Sequence, residues 1–292
     1  MTRLVQISDV HFGAEDPILV APLSETINAL EPDLVIVTGD VTTFGRRREF
    51  AAARAFLDTL KAPVVGAPGN HDTPYLDMAA RLTSPWKRFE RWLSPRLQPR
   101  AQAGLARVEM LPTARGAQAR VDWSLGRMRK RDAIRAGQAL SDHDGLKVLA
   151  GHHPLVAPGG LKGRAKTSGG ERAARLIAEA GVDLYLSGHL HQVFAESLDR
   201  GDGSVCWFVG AGTALSRRTR GEPASFNVIE VGEDPRLVVW SAGEDPAFKP
   251  GQAISLEGLG AGKSPARSTA PGFPRSEGGS DYQMRTRCSG GR

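Results

Sequence analysis

Short β-branched apolar runs alternate with longer amphipathic stretches through the first quarter of the chain. Residues 4–8 predict a strand. In residues 18–29 apolar side chains recur at helical spacing through Leu19, Leu23, Ile27 and Leu30. Glu31-Pro32 ends that helix, because the residue before a proline is driven out of the helical region. Residues 34–38 are a continuous apolar run, as in a strand buried on both faces. Residues 48–60 predict a helix with Phe50, Ala53, Phe56, Leu57 and Leu60 on one side, and residues 64–67 the next strand. This order implies a parallel sheet with right-handed crossovers.

The pattern breaks over residues 75–140, which are rich in Arg, Pro and Trp. Trp86, Phe89 and Leu93 recur at helical spacing beside Lys87, Arg88 and Arg91, which fits a short helix packed on the domain or an amphipathic helix on a membrane surface. Residues 108–111 predict a short strand and 127–140 a helix. Regular alternation then resumes: strand 147–150, helix 171–180, strand 182–186, and late strands 205–209, 225–231 and 236–241, expected to run antiparallel at the sheet edge. From about residue 249 Gly, Ser, Pro and Arg dominate, and residues 249–292 predict a disordered tail.

Polar residues cluster where the predicted strands end. Asp9-Val10-His11, Gly39-Asp40 and Gly69-Asn70-His71-Asp72 each follow one of the first three strands. Gly151-His152-His153-Pro154 and Gly188-His189-Leu190-His191 follow two later ones. In open α/β sheets ligands sit at the carboxyl ends of strands, so topology gathers motifs that are far apart in sequence. In Asp9-x-His11 and His189-x-His191 the paired side chains share a face of an extended segment and are able to clamp one metal. Asp40 has two oxygens with which to bridge two metals, and Asn70 an amide oxygen. Six of the seven histidines lie in these motifs. The seventh, His143, reads as a solvated loop residue.

Composition narrows the picture. At 292 residues with 40% hydrophobic and 24% charged residues, the chain has the make-up of a globular protein with a substantial core. No apolar run approaches the roughly 18 residues of a membrane span. The first strand leads straight into Asp9, leaving no signal peptide, and only two cysteines occur, which fits a reducing cytoplasm and excludes a thiolate zinc site. The net charge of +6 is unevenly spread: residues 81–135 hold 14 Lys and Arg against 4 Asp and Glu. Such a segment attracts nucleic acid, anionic lipid or a polyanionic substrate, or is simply solvated. Arg115 and the Arg217-Arg218-Thr219-Arg220 cluster, Arg218 in particular, are candidate phosphate clamps.

The five motifs, in this order, resemble those of the calcineurin-like metallophosphoesterase superfamily: Asp-x-His, Gly-Asp, Gly-Asn-His-Asp/Glu, a His two residues before Pro, and Gly-His-x-His. The resemblance covers residues 9–191 and extends to about residue 248 through Gly210-Ala211-Gly212-Thr213-Ala214 and Ser225-Phe226-Asn227. It implies a four-layer α/β/β/α sandwich of two mixed sheets over residues 1–248, with residues 75–140 as a basic cap-like insertion at the mouth of a dimetal site. By position, one metal is held by Asp9, His11 and His191, the second by Asn70, His152 and His189, and Asp40 bridges them. His153 is then a packing residue. His71, oriented by Asp72, stands beside the phosphorus as a general acid. The implied reaction is hydrolysis of a phosphate ester, a phosphodiester first among them, by in-line attack of a metal-bridging hydroxide. Mn²⁺, Fe or Zn²⁺ suits the N and O donors, with Mn²⁺ favoured. The likeness is greatest to stand-alone bacterial phosphodiesterases of the cyclic-nucleotide type. The rivals are a nuclease or a nucleotide-lipid pyrophosphatase using the basic segment, and a non-enzymatic scaffold.

Overall fold

The computed structural model describes residues 1–118, 122–156 and 167–260. Two six-stranded sheets face each other, with helices on both outer surfaces. The first sheet contains β1 (Thr2–Ile7), β2 (Leu34–Val37), β3 (Val64–Gly66), β10 (Ser225–Val231), β11 (Arg236–Ala242) and β12 (Phe248–Ser255), in the order β12-β11-β10-β1-β2-β3. The second contains β4 (Arg100–Ala103), β5 (Ala106–Leu111), β6 (Leu146–Gly151), β7 (Leu184–His191), β8 (Phe194–Asp199) and β9 (Val205–Gly212), in the order β4-β5-β6-β7-β9-β8. In the first sheet β1, β2 and β3 run parallel and β10 to β12 antiparallel. In the second, β5, β6, β7 and β9 run parallel, with β4 and β8 antiparallel at the edges.

Period-two alternation explains why the strands read as solid apolar runs. In β1 and β2, Val5, Ile7, Val35 and Val37 point into a core under the outer helices α1 (Pro17–Ala29), α2 (Arg47–Thr59) and α4 (Lys87–Leu93). Leu4, Leu34 and Ile36 point the other way, into the layer between the sheets with Val108, Val148, Leu186 and Val209. A third core, with Leu149, Ile177, Tyr185 and Phe208, lies under α5 (Lys130–Ala139) and α6 (Gly170–Glu179). These cores separate four layers, so the expected sandwich is the fold found.

Four expectations need correcting. Residues 75–140 are not wholly a cap: besides the short α3 (Met78–Thr83) and α4, they supply β4, β5 and the whole of α5, which are integral to the second sheet and its outer helical layer. Residues 249–255 belong to β12, and Leu256 and Leu259 are buried between the sheets, so ordered chain runs past residue 248. Continuous exposure at the sheet edge hid this strand; residues 261–292 lie outside the described residues. β9, expected as an antiparallel edge strand, runs parallel to β7 inside its sheet, because the chain reverses after His191 and β8 takes the edge. His143 is buried, its Nε2 3.1 Å from the Leu105 carbonyl.

The aromatic face of α4 is also settled. Phe89 and Leu93 sit in the first core, so this helix packs on the domain. Many basic side chains of the 81–135 segment are spent within the fold: Arg88 bonds Asp77 and the Gly45 carbonyl, Arg96 bonds the Leu57 carbonyl in the last turn of α2 and that of Ala62 beyond it, and Arg107 pairs with Asp142. Among the described residues no helix is long and apolar enough to cross a membrane.

Candidate metal centre and active site

All five motifs meet at the carboxyl ends of β1, β2, β3, β6 and β7. Backbone hydrogen bonds lock the loops together: Asp9 N–H donates to the Gly39 carbonyl (3.1 Å) and His11 N–H to that of Asp40 (3.0 Å). Thr213 Oγ1 donates to the Asp9 carbonyl (2.6 Å). Glycine is required where loops touch: a Cβ at Gly69 would overlap the Asp40 carboxylate, and one at Gly188 would overlap Ser8 and Asp9.

Asp9, His11 and His191 offer donor atoms that lie within 4.8 Å of one another, as do Asp9, Asp40 and His152. His191 Nε2 lies 3.1 Å from Asp9 Oδ1 and 3.2 Å from His11 Nε2. On the other side His152 Nε2 lies 3.1 Å from Asn70 Oδ1 and 3.2 Å from Asp40 Oδ2, and its ring centroid is 5.1 Å from that of His189. Asp40 Oδ2 is also 3.8 Å from His11 Nε2, which puts this carboxylate between the two groups. The structure thus brings together all seven residues expected to hold metal.

Three observations show that the site fits cations. Asp9 Oδ1 is fully buried and makes no hydrogen bond, an arrangement that costs free energy unless a cation supplies the missing partner. Two imidazoles are aimed by backbone carbonyls: His152 Nδ1 donates to Thr38 (2.8 Å) and His191 Nδ1 to Arg218 (2.7 Å), leaving both Nε2 atoms facing the carboxylates. Asp9, His11, Asp40, His189 and His191 all have positive φ, and only two other non-glycine residues among those described do. Such conformations cost about 1–3 kcal/mol each and persist where the surroundings over-determine them.

Electrostatics point the same way. Burial opposes ionisation of Asp9 and Asp40, yet both carboxyls are held well below the usual carboxylate range, Asp9 chiefly by His191 and Asp40 by His152 and His71. Burial works against a charged His152, but Asp40 overrides it and raises the group to about 9. Burial lowers His11 to about 4 and His189 to about 3, the latter helped by the charge on His152. Two ionised carboxylates among imidazoles, with the proton on His152 standing where a cation would, make up a hard-to-borderline N/O donor set.

His71 lies at the edge of this cluster, its ring 4.9 Å from that of His11. Its partner is not the expected one. His71 Nδ1 donates to the Thr43 carbonyl at 2.8 Å. Asp72 is fully buried and accepts from Thr42 N (2.9 Å), Thr42 Oγ1 (2.8 Å), Gly69 N (2.9 Å) and Val41 N (3.3 Å). It therefore pins two metal-site loops together and leaves the imidazole to a backbone carbonyl. Burial and the nearby Asp40 raise the Asp72 carboxyl to about 6.

His153 is held on three sides: by Thr113 Oγ1 at Nδ1 (3.0 Å), by the Ser124 carbonyl at Nε2 (2.7 Å) and by Tyr185 Oη at its carbonyl (2.8 Å). Arg115 donates to the carbonyls of Pro112, Ala114 and Arg127, so its guanidinium braces a loop. Arg218 contributes its carbonyl to His191 while its side chain is exposed. The arginine of that cluster that lines the cavity over the site is Arg220. Asp122, Ser124 and Leu125 line it too, and nothing in their sequence pattern marked them. That cavity, about 530 Å³, also reaches Asp40, Asn70, His71, His189 and His191. A second, of about 480 Å³, shares Asn70, His71 and Ser124 with it and runs off toward Tyr75, Arg81 and Trp123.

The chain belongs to the calcineurin-like phosphoesterases, whose family model matches residues 2–193. It is accordingly a phosphoric ester hydrolase built on a His/Asp dimetal-type site. It is 25% identical over 242 residues to a probable cyclic nucleotide phosphodiesterase from Synechococcus sp., covering 79% of this chain and 88% of that one. A more local likeness, 36% over 80 residues, is to a glycerophosphodiester phosphodiesterase from Enterobacter lignolyticus, covering 24% of this chain and 29% of that relative. Among solved structures, a dimetal phosphatase from Danio rerio superposes with a TM-score of 0.59 at 12% identity, covering 87% of this chain and 98% of its own. Purple acid phosphatase PPD1 from yellow lupin gives 0.56 at 14%, covering 87% and 53%. At these identities the structural likenesses speak for the fold alone.

Proposed function

We propose that the protein is a phosphodiesterase. The observation that carries this reading is the pair of cavities diverging from His71: a phosphorus beside the donor cluster has room for a substituent in each. The long match to a probable cyclic nucleotide phosphodiesterase supports it. Asp9, His11 and His191 would hold one divalent cation and Asn70, His152 and His189 the other, with Asp40 shared. Bound there, the pair would neutralise phosphoryl oxygens and acidify a water for in-line attack. Mn²⁺ is the first metal to test, with Fe and Zn²⁺ acceptable to the same donors.

The chain's own part centres on one proton. Because His71 Nδ1 donates to Thr43, Nε2 is the nitrogen open to the cavities. Protonated, it gives its proton to the departing ester oxygen as the bond from phosphorus to that oxygen breaks, a contribution of about 10²–10⁴-fold. Arg220 places positive charge at the rim for an anionic substrate.

The test compares bis(p-nitrophenyl) phosphate with p-nitrophenyl phosphate, using metal-stripped protein reloaded with Mn²⁺. Preference for the diester, dependent on metal and on His71, is expected. Preference for the monoester would overturn the diester reading.

A further inference from the structure

The second cavity has a lining unlike the first. Trp123 and Tyr75 form its walls, and each ring is backed by another group. The Arg81 guanidinium lies over Trp123, 5.2 Å from the ring centroid, and its Nε donates to the Gly116 carbonyl at 2.8 Å. Phe44 packs edge-on against Tyr75 at 5.6 Å. Supported rings of this kind are pre-organised surfaces rather than loose side chains. Yet they are left open. Of the nine large hydrophobic side chains exposed among the described residues, four (Tyr75, Leu76, Met78 and Leu82) fall in residues 75–82, and two of these, Tyr75 and Met78, line this cavity. Apolar area concentrated at one mouth marks a binding surface. Asn70 and His71 belong to its lining, so a group lodged there would adjoin a phosphorus held beside them.

We infer that this cavity is a subsite for a flat aromatic group carried by the non-departing oxygen of the substrate, with Trp123 and Tyr75 as its stacking surfaces. This deepens the diester reading and rests on it. The substrate class is a phosphodiester with an aromatic or heteroaromatic spectator substituent. Met78, exposed and part of the lining, offers a flexible thioether that adapts to an aromatic ring. Arg81, backed on Trp123, adds a cation beside the stack.

The experiment holds the leaving group fixed. The Mn²⁺-loaded full chain is given p-nitrophenyl phosphodiesters whose second ester is phenyl, ethyl or hexyl. The phenyl ester is expected to exceed the ethyl ester in kcat/KM by about tenfold or more, as aromatic stacking contributes in single-stranded nucleic-acid sites. Trp123→Ala and Tyr75→Ala should each pull that ratio toward one, and a ratio is insensitive to the fraction of variant that folds. A hexyl ester equal to the phenyl ester would overturn the ring subsite, since apolar area alone would then suffice. So would ratios unmoved by both variants. Calorimetric binding of phenyl methylphosphonate against ethyl methylphosphonate judges the subsite without turnover: tighter phenyl binding lost in Trp123→Ala supports it, and equal binding overturns it. Turnover of p-nitrophenyl phosphate but of no diester would refute the diester reading, and the phosphonate pair would still decide the subsite.

Discussion

The floor of the site and its rim are built on opposite plans. The floor is buried, cross-bonded and strained: Asp9, Asp40 and His191 sit in left-handed backbone, and Asp72 alone ties three backbone N–H groups and a hydroxyl across two loops. The rim, from Tyr75 to Leu82 and from Asp122 to Leu125, is half-exposed, and its side chains lean on one another more than on the sheets. Atoms that must meet a cation within tenths of an ångström are over-determined, because a site left loose loses its geometry. Atoms that only choose among substituents are left on loops, where change is tolerated.

The sharpest way to break this contrast is at its centre. Asp40→Ala should empty the site, since one carboxylate faces both donor groups. Metal analysis is expected to fall from about two equivalents toward none, and turnover to background. Retention of both metals would remove Asp40 from its shared role. His71→Ala comes next: both metals stay bound and kcat falls by about 10²–10⁴-fold. If metal is lost instead, His71 is a ligand. Asp72→Ala should act on stability first, because it orphans the buried amides of Val41, Thr42 and Gly69. A loss of at least about 2 kcal/mol in denaturant unfolding is expected. A variant of undiminished stability whose kcat falls as far as that of His71→Ala would instead make Asp72 the orienting partner of the imidazole.

The smallest effect lies far from the site. Glu230 receives Arg236 at 2.6 Å and Arg3 at 3.1 Å. Burial alone would raise its carboxyl, but these two arginines more than offset that and lower it. A lowered folded pKa gives stability that is complete above the ordinary glutamate value and lost as pH falls through the folded one. Both arginines are partly exposed, so Glu230→Gln should cost no more than about 1 kcal/mol at pH 7. Melting curves of variant and parent should converge in acid; a gap that persists at low pH would assign the cost to packing.

Most of the floor was legible in the sequence because it is local. Each metal-site motif follows a strand that announces itself by its apolar run, and glycine precedes Asp40, Asn70, His152 and His189 where a side chain would collide with its neighbours. What escaped was set by tertiary contact. No spacing rule tells that Thr43, not Asp72, holds His71, since both lie within reach and the choice is made by how two loops dock. β12 escaped because at the sheet edge every one of its side chains after Phe248 is exposed, and its buried anchors, Leu256 and Leu259, come after the strand. β8 and the inward place of β9 escaped because strand order depends on where a short reversal sends the chain. Among the arginines the sequence offered several equals, and only the fold separates Arg115, braced by carbonyls, from Arg220 at the cavity.

The donors are divided between the two sheets. Asp9, His11, Asp40 and Asn70 hang from the first, and His152, His189 and His191 from the second. Ions held among them would act as a rivet through two plates. Any slip of one sheet over the other would then register as a change in bite angle at the rivet, and a methylene trimmed from Ile36 or Val148, deep between the plates, would be felt as chemistry at their edge.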